Sequence, residues 1–390
     1  MAKNFKKVGQ SLFCSDFAVE QALAHTHQFL SHLDSEVNFE ELWQEKLLAT
    51  YKGGAELGPP PYAPEMVLKM LFLSFLFKIS EREVERIAND SISFKHFLGL
   101  GLIDKAPDHS TLTKFKNRIL QYGERCGTDL FKEIFDEVVV LSLKKGVKFG
   151  TIQAIDGTHT VADVNTQKDK KRTKKISDGG KGQDPRDPGA KWGVKRAVKV
   201  KTVKGQSVKI NKCYYGYNNH LSVNTDTNLI TSFRVTPFNA YEGHSFKPLM
   251  DDDIKKGVAI AHATIYTADK GYDDGDLHVW LEQAKLFDAI DLKYIKDEDK
   301  TEKGKPKARW TKFTNQKIFE EGLSQRYAVE RVNAGLKKDG GLGRARYLGL
   351  AKMKAQTAMT CFAHNLKTLV KQLTGVGLRT LATVHVSSAA

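Results

Sequence analysis

"VKFGTIQAID", Val147 to Asp156, is where the chain changes character. Upstream, apolar residues recur at helical spacing; here they alternate, the signature of a strand with one buried face. We read a strand that stops at Asp156. Before it, "FAVEQALAHTHQFLSHL" (17–33) and "FEELWQEKLLATY" (39–51) read as helices, and "GGAELGPPPYAP" (53–64) as a Gly/Pro break. Pro64 suits the first position of "PEMVLKMLFLSFLFK", which is apolar nearly all round and so belongs at the centre of a bundle. Ser80 to Glu83 form a capping box, 91–98 a short helix, and "APDHSTLTKFKNRI" (106–119) a capped helix carrying Lys114, Lys116 and Arg118. Such a series fits a helix-turn-helix or an all-helical support domain equally well.

Downstream, residues 165–209 are rich in Lys, Gly and Asp; the first half reads as a mobile loop, and "KRAVKVKTVKGQSVKI" as a hairpin turning near Gly205. Strands follow at 213–224 and 229–238, then a helix near 244–255. A strand ends at Asp269 in "IYTADKGYDDGD" (265–276). A helix over 274–285, a strand over 287–295, a basic loop over 296–312 and helices over 314–338 and 350–373 complete the series. The expected fold class is α/β. An N-terminal all-helical domain (1–145), for DNA binding or oligomerisation, precedes a mixed-sheet domain flanked by helices (146–374). That domain carries a basic insertion at about 160–211, and 375–390 read as a disordered tail.

The 390 residues are 41% hydrophobic and 27% charged, which suits a soluble protein with a substantial core. The net charge of +15 favours polyanions, nucleic acid above all. Cys14, Cys126, Cys213 and Cys361 stand far apart, which argues against a structural zinc site or a disulfide framework. Ala2 to Gln10 has no signal-peptide core, and the apolar run Met66 to Phe77 is interrupted by Lys69 and too short to span a bilayer. The expected location is cytoplasmic, on the nucleoid when DNA is bound, with no membrane partner. "SDGGKGQ" lacks the spacing of a phosphate-binding P-loop.

Three acids stand out. Asp156 and Asp269 each end a predicted strand. Asp269 alone could cap a turn or hold a metal. Glu330 shares a helix face with Arg326, Asn333 and Lys337, at spacings of four, three and four, which a solvated face would also show. Strand ends at one sheet edge converge, and a helix packed there can deliver a third carboxylate. Three carboxylates make a hard oxygen cage for Mg²⁺ or Mn²⁺. Two such ions, about 3.5–4 Å apart, clamp the attacking and leaving oxygens of a phosphodiester. Lys270, Arg326 and Lys337 would hold neighbouring phosphates. The run Lys170, Lys171, Arg172, Lys174 and Lys175 reads as a DNA-backbone contact or a solvated loop. Arg344 and Arg346, in "GGLGRARYLG", read as a phosphate-contacting turn. Trp192 and Trp310 could stack on an unpaired base or pack against a loop. His220, in "GYNNHLSV", either approaches the substrate or is a strand histidine bonded to a neighbour. His159 and His244 are weaker candidates, and Asp163, Asp273, Asp274 and Asp276 read as surface or capping acids.

These motifs resemble the DDE transposases of bacterial insertion sequences, close to the insertion sequence five group. The resemblance covers about 60–373. It rests on "AIDGTHT", on "DPGAKWG" with "YYGYNNHLSVNTDTNLI", on "YTADKGYDD" and on "RYAVERVNAGLKKDGGLGRARYLGLAKMKAQTAMTCFAHNLKTLV". Arg326, Glu330 and Lys337 meet its Arg-x₃-Glu-x₆-Lys spacing; where the family commonly has Tyr three residues before that Arg, this chain has Leu323. The resemblance implies an RNase H-like core with Asp156, Asp269 and Glu330 as the triad, using two Mg²⁺ ions, with Mn²⁺ able to substitute. It aligns His220 with a family histidine, placed here among the DNA contacts. It also implies cleavage of double-stranded DNA at terminal inverted repeats and joining of the 3′-OH to target DNA by a homodimer or higher homo-oligomer. A nuclease without strand transfer, or a non-catalytic DNA-binding regulator, are the alternatives.

Overall fold

A computed structural model describes residues 6, 28–51, 60–168, 185–201, 207–292 and 316–378. The chain divides into two compact units, Met1–Val138 with Phe362–Ala390, and Val139–Cys361. The end of the last helix therefore groups with the N-terminal helices, not with the sheet as the sequence reading has it. Predicted features at 169–184, with Lys170, Lys171, Arg172, Lys174 and Lys175, at 293–315, with Trp310, and at 379–390 lie outside the described residues.

The first unit holds α1 (Gln28–Glu36), α2 (Phe39–Leu48), α3 (Pro64–Leu76), α4 (Glu81–Asp90), α5 (Ile92–Leu98), α6 (His109–Cys126) and most of α7 (Leu130–Lys144), a helix the sequence reading did not single out. α3 is central because nearly every side chain on it is apolar: Val67, Leu68, Met70, Leu71, Phe72 and Leu73 are all buried. Phe72 lies 6.0 Å from Phe39 and 5.6 Å from Phe362, between ring centres. Lys69 reaches Asp34 Oδ1 at 2.5 Å and passes over the Phe97 ring, so the one cation in the run keeps its charge partnered while its stem packs. The caps are those the sequence announces. Ser80 Oγ accepts from the Glu83 N–H at 3.1 Å, and Asp108 Oδ1 accepts from the Ser110 N–H at 2.6 Å.

The second unit is built on a six-stranded sheet of β1 (Ile152–Val161), β2 (Lys191–Lys201), β3 (Ser207–Asn224), β4 (Ile230–Pro237), β5 (Ile265–Ala268) and β6 (Phe287–Ile290). β1 pairs antiparallel with β3 and parallel with β5; β3 pairs antiparallel with β4, and β5 parallel with β6. The order β4-β3-β1-β5-β6, three antiparallel strands then two parallel ones, is the RNase H-like arrangement. β2 extends the sheet by a hairpin with the first half of β3, and its turn (202–206) lies outside the described residues. This unit also holds the helices α8 (Phe246–Lys255), α9 (Gly275–Gln283), α10 (Gln316–Gln325), α11 (Tyr327–Lys338) and the first half of α12 (Leu350–Thr374).

Three predicted elements need correction. β1 does not stop at Asp156 but runs on to Val161, pairing Asp156 with Leu221 and Val161 with Gly216. Its second half reads as polar, yet Thr158 and Thr160 are buried. Thr158 and Thr160 are satisfied by Asn219, whose Nδ2 donates to Thr158 O at 3.1 Å and Thr160 Oγ1 at 2.8 Å. The helix expected over 314–338 is two helices, separated at Arg326, whose N–H turns back to Leu323 O at 3.2 Å. The strand expected over 287–295 ends, among the described residues, at Ile290.

Candidate active site

The site lies where β5 ends beside the middle of β1. In β1, Ala154 and Asp156 face one side of the sheet, Ile155 and Gly157 the other. Ile155 is in register with Ala268, the last residue of β5. One residue further on in each case come Asp156 and Asp269, and the Asp269 charge is felt at Asp156. α11 covers the Asp156 side by burying Ala328, Val329, Val332 and Leu336, each Val or Leu contributing roughly 1.5–3 kcal/mol. From it, Asn333 Nδ2 donates to Asp156 Oδ2 at 3.0 Å.

Asp156 pays electrostatically for this position. Burial pushes its carboxyl up to about 6, the charges of Asp269 and Glu242 raise it too, and the Gly157 N–H and Asn333 oppose them. Tyr272, three residues after Asp269, is fully buried in the apolar cluster of Phe246, Tyr266 and Leu281. Its phenol is held well above its usual range by burial, then by the charges of Glu242, Asp156 and Asp269. Asp269 Oδ1 accepts from the Gly271 N–H at 2.8 Å, which fixes the turn after β5.

Glu242 was missed by the sequence reading. It stands in "YEGHSF", in a short 3₁₀ turn before α8, where an acid reads as an ordinary first-turn residue. The loop after β4 brings it back to β3, where Glu242 Oε1 accepts from Asn218 Nδ2 at 2.8 Å. Two glycines leave room around it. A methyl on Gly157 would lie 3.4 Å from Glu242 Oε1; one on Gly271 would lie 2.9 Å from Asp269 Oδ1 and 3.6 Å from Glu242 Oε2.

The other predicted residues fall as follows. Glu330 is one helical turn before Asn333 on α11; its carboxylate is half exposed and paired with Arg326 Nη1 at 2.7 Å. His220 is not a surface contact. It is completely buried, with Nδ1 3.2 Å from the Tyr272 hydroxyl and Nε2 3.0 Å from Thr236 Oγ1, and burial, followed by the Arg234 charge, drives its pKa down to about 4. It props Tyr272 from below as a neutral ring. Arg344 pairs with Asp163 Oδ1 at 2.6 Å, and Arg346 is tied through its N–H to Gln356 Oε1 at 2.7 Å. Lys270 is exposed and Lys337 partly buried. Trp192 packs on Tyr215, ring centres 5.3 Å apart. Asp274 caps α9, and Asp273 accepts from buried His278.

A divalent cation fits the Asp156–Asp269 pair on three counts. The donors are hard oxygens. Gly157 and Gly271 leave a small space that side chains would fill. Buried Asn333 Oδ1, on the amide that touches Asp156, has no hydrogen-bond partner. Among the described residues, one group of three ligand atoms lies within 4.8 Å of one another, and it is a different group: Glu85, Asp108 and His109, in the first unit. Those contacts are accounted for by the start of α6, where Glu85 Oε2 accepts from both the N–H and Nδ1 of His109.

Residues 148–366 match the family model "Transposase DDE domain", and residues 17–118 match "Transposase domain (DUF772)". The transposase for insertion sequence element IS1106 of Neisseria meningitidis serogroup B is 31% identical over 161 residues, 41% of this chain and 49% of that protein. The match thus spans about half the relative's length. A cryo-EM structure of the piggyBac transposase synaptic complex with hairpin DNA aligns over 94% of this chain and 78% of that one, with 10% identity and a TM-score of 0.36. A Mos1 transposase paired-end complex aligns over 78% and 87%, with 10% identity and a TM-score of 0.20; likeness this weak carries no argument. The strand order and the DDE-domain match over more than half the chain lead to one conclusion: the chain belongs to the transposase DDE domain family.

Proposed function

We propose that this chain cuts double-stranded DNA at the ends of its element and joins the freed 3′-OH to target DNA. The observation that carries the reading is that Asp156 and Asp269 each follow the last residues by which β1 and β5 pair, with Asp156 held by the helix that bears Glu330. The three carboxylates would hold two Mg²⁺ ions, with Mn²⁺ able to substitute. When bound, such ions lower the pKa of water or a 3′-hydroxyl and neutralise charge on the departing oxygen. The chain's own residues do the rest. Asn333 orients Asp156. Tyr272, braced by His220, closes the floor of the site against water. Arg326, now on Glu330, moves to a phosphate when DNA arrives and frees that carboxylate, while Lys270 and Lys337 hold flanking phosphates. The working form is a homodimer or higher oligomer on paired ends, and its place is the cytoplasm; among the described residues no helix is long and apolar enough to cross a membrane. The test is incubation of purified protein with end-containing DNA in Mg²⁺, in Ca²⁺ and in EDTA. Cleaved and joined products in Mg²⁺ alone are expected. Cleavage that persists in EDTA would contradict the reading, and hydrolysed ends without joined product would favour a nuclease.

The first unit offers a DNA contact of its own. A groove of about 420 Å³ is lined along one stripe of α6 by Lys114, Asn117, Arg118, Gln121 and Arg125, with no acid in its lining. The Arg118 guanidinium lies 4.0 Å over the Tyr51 ring, held ready rather than loose. Each cation on a phosphate adds close to one unit to the salt slope of binding. Replacing Lys114, Arg118 and Arg125 together by Ala is expected to flatten that slope by about three. An unchanged slope would remove this groove from the DNA interface.

A further inference from the structure

The sheet carries an arm that outgrows it. β3 pairs with β1 from Gly216 to Asn224 and with β4 from Tyr217 to Val223, but from Tyr214 back to Ser207 its strand partner among the described residues is β2 alone. The two strands continue past the sheet as a ribbon, from Lys195 opposite Lys212 to Lys201 opposite Ser207. At the rise of a strand, Lys195 to Lys201 extends about 20 Å. The composition of the arm is one-sided: residues 191–212 hold seven lysines and one arginine and no aspartate or glutamate. The register adds to this. Lys195 stands directly opposite Lys212, and Lys199 directly opposite Lys209. Like charges in facing positions weaken a pair of strands, and an isolated two-stranded ribbon is marginal in water already. Past the register shift between Lys195 and Val198, alternate positions share a face. Lys199, Lys201 and Lys209 fall on one face, and Val198, Val200, Val208 and Ile210 on the other. The charges thus form one continuous basic face.

Repulsion that weakens the free arm is relieved when a polyanion covers it. A two-stranded ribbon is also one of the shapes that the major groove of duplex DNA admits. The basic face has lysines and Ser207, without the amide and guanidinium forks that read base edges through paired bonds. We infer that the β2–β3 ribbon is a DNA-binding arm whose Lys199, Lys201 and Lys209 hold phosphates of duplex DNA irrespective of base sequence. None of the three lies in a motif that carries the family resemblance, and the arm is separate from the groove on α6, which belongs to the other unit. The inference rests on the reading of the chain as an enzyme of double-stranded DNA, and it names a surface that takes that partner.

The experiment measures binding of the full chain to two labelled duplexes, one carrying the element's end and one unrelated. Fluorescence anisotropy is followed over a salt series in EDTA, so that neither metal ions nor cleavage enter. Lys199→Ala, Lys201→Ala and Lys209→Ala combined are expected to weaken binding to both duplexes on the order of tenfold or more at low salt, and to lower the salt slope by about three. Lys247→Ala, which removes an exposed cation of the same unit paired with Asp251 on α8, should change neither quantity. Circular dichroism and the Tm establish that each variant is folded. If the alanine variant is not, the corresponding triple glutamine variant, which keeps polarity and loses the charge, decides with the same expected losses. Parent-like affinity and slope in a folded triple variant overturn the inference and leave the enzymatic reading standing. A loss confined to the end-carrying duplex overturns it as well, because the arm then reads sequence. A parent that binds neither duplex overturns the reading of the chain as an enzyme of DNA.

Discussion

Asp156→Asn is expected to abolish end cleavage and, at the same time, to make the metal-free protein more heat-stable above pH 6. Loss of activity follows from losing a cation ligand. An effect worth several kcal/mol of barrier lowers the rate on the order of 10³-fold or more. The gain in stability follows from linkage. The folded-state pKa of Asp156 is about 6, against an ordinary value of 3.8. A carboxyl raised on folding binds its proton more tightly in the native state than in the unfolded one. As pH climbs from about 4, the unfolded chain ionises first, and native stability falls until the folded group has also ionised near 6. Above that window the cost stays constant, on the order of 1–3 kcal/mol. Asparagine cannot ionise, so the variant escapes it. Tm profiles of both proteins in EDTA, from pH 4 to pH 8, should diverge through that window, the variant ending higher by several degrees. Parallel profiles would mean that Asp156 is not held in the crowded setting described.

Gly216→Ala is the substitution expected to damage the fold most. Gly216 pairs with Val161 across the end of β1. A methyl there would sit 2.0 Å from the Thr160 carbonyl oxygen and 3.1 Å from the Ala162 nitrogen. Both are main chain, so no rotamer change relieves the contact, and the Ala162 N–H is already committed to Tyr215 O at 2.9 Å. The strands must separate, at about 3 kcal/mol or more. Urea unfolding should show a lower midpoint with an unchanged slope. Because the displaced strand is the one that carries Asp156, cleavage should fall as well. A midpoint equal to that of the parent would show that β1 and β3 are not paired in this register.

Much of the architecture was legible because local chemistry and global packing agree. Pro64 and the all-round apolar α3, Ser80 before Glu83, and Asp274 ahead of α9 each announce an element by its own physics. Asp269 at the end of β5 was equally plain, since the apolar run stops there. Other features depend on partners remote in sequence. The second half of β1 is polar, and it forms a strand through partners remote in sequence: its pairing with β3 and the bonds of Asn219, 61 residues from Thr158, and of Leu342. The break at Arg326 follows a tight turn that helical periodicity does not encode. Of the site, Asp156, Asp269 and Glu330 were visible through their motifs, and Asn333 through its place on the same helix face. Glu242 was not, because a loop brings it to Asn218 in space and an acid in the first turn of a helix is not chemically distinctive. His220 was legible as a polar strand residue, but its burial under Tyr272 depends on a partner 52 positions away.

The measurement that tests the central claim most directly is anomalous scattering from crystals of the full chain grown with Mn²⁺. The account requires an anomalous peak bonded to carboxylate oxygens of both Asp156 and Asp269. A peak confined to Glu85, Asp108 and His109, or the two aspartates well ordered with no peak between them at saturating Mn²⁺, would contradict it.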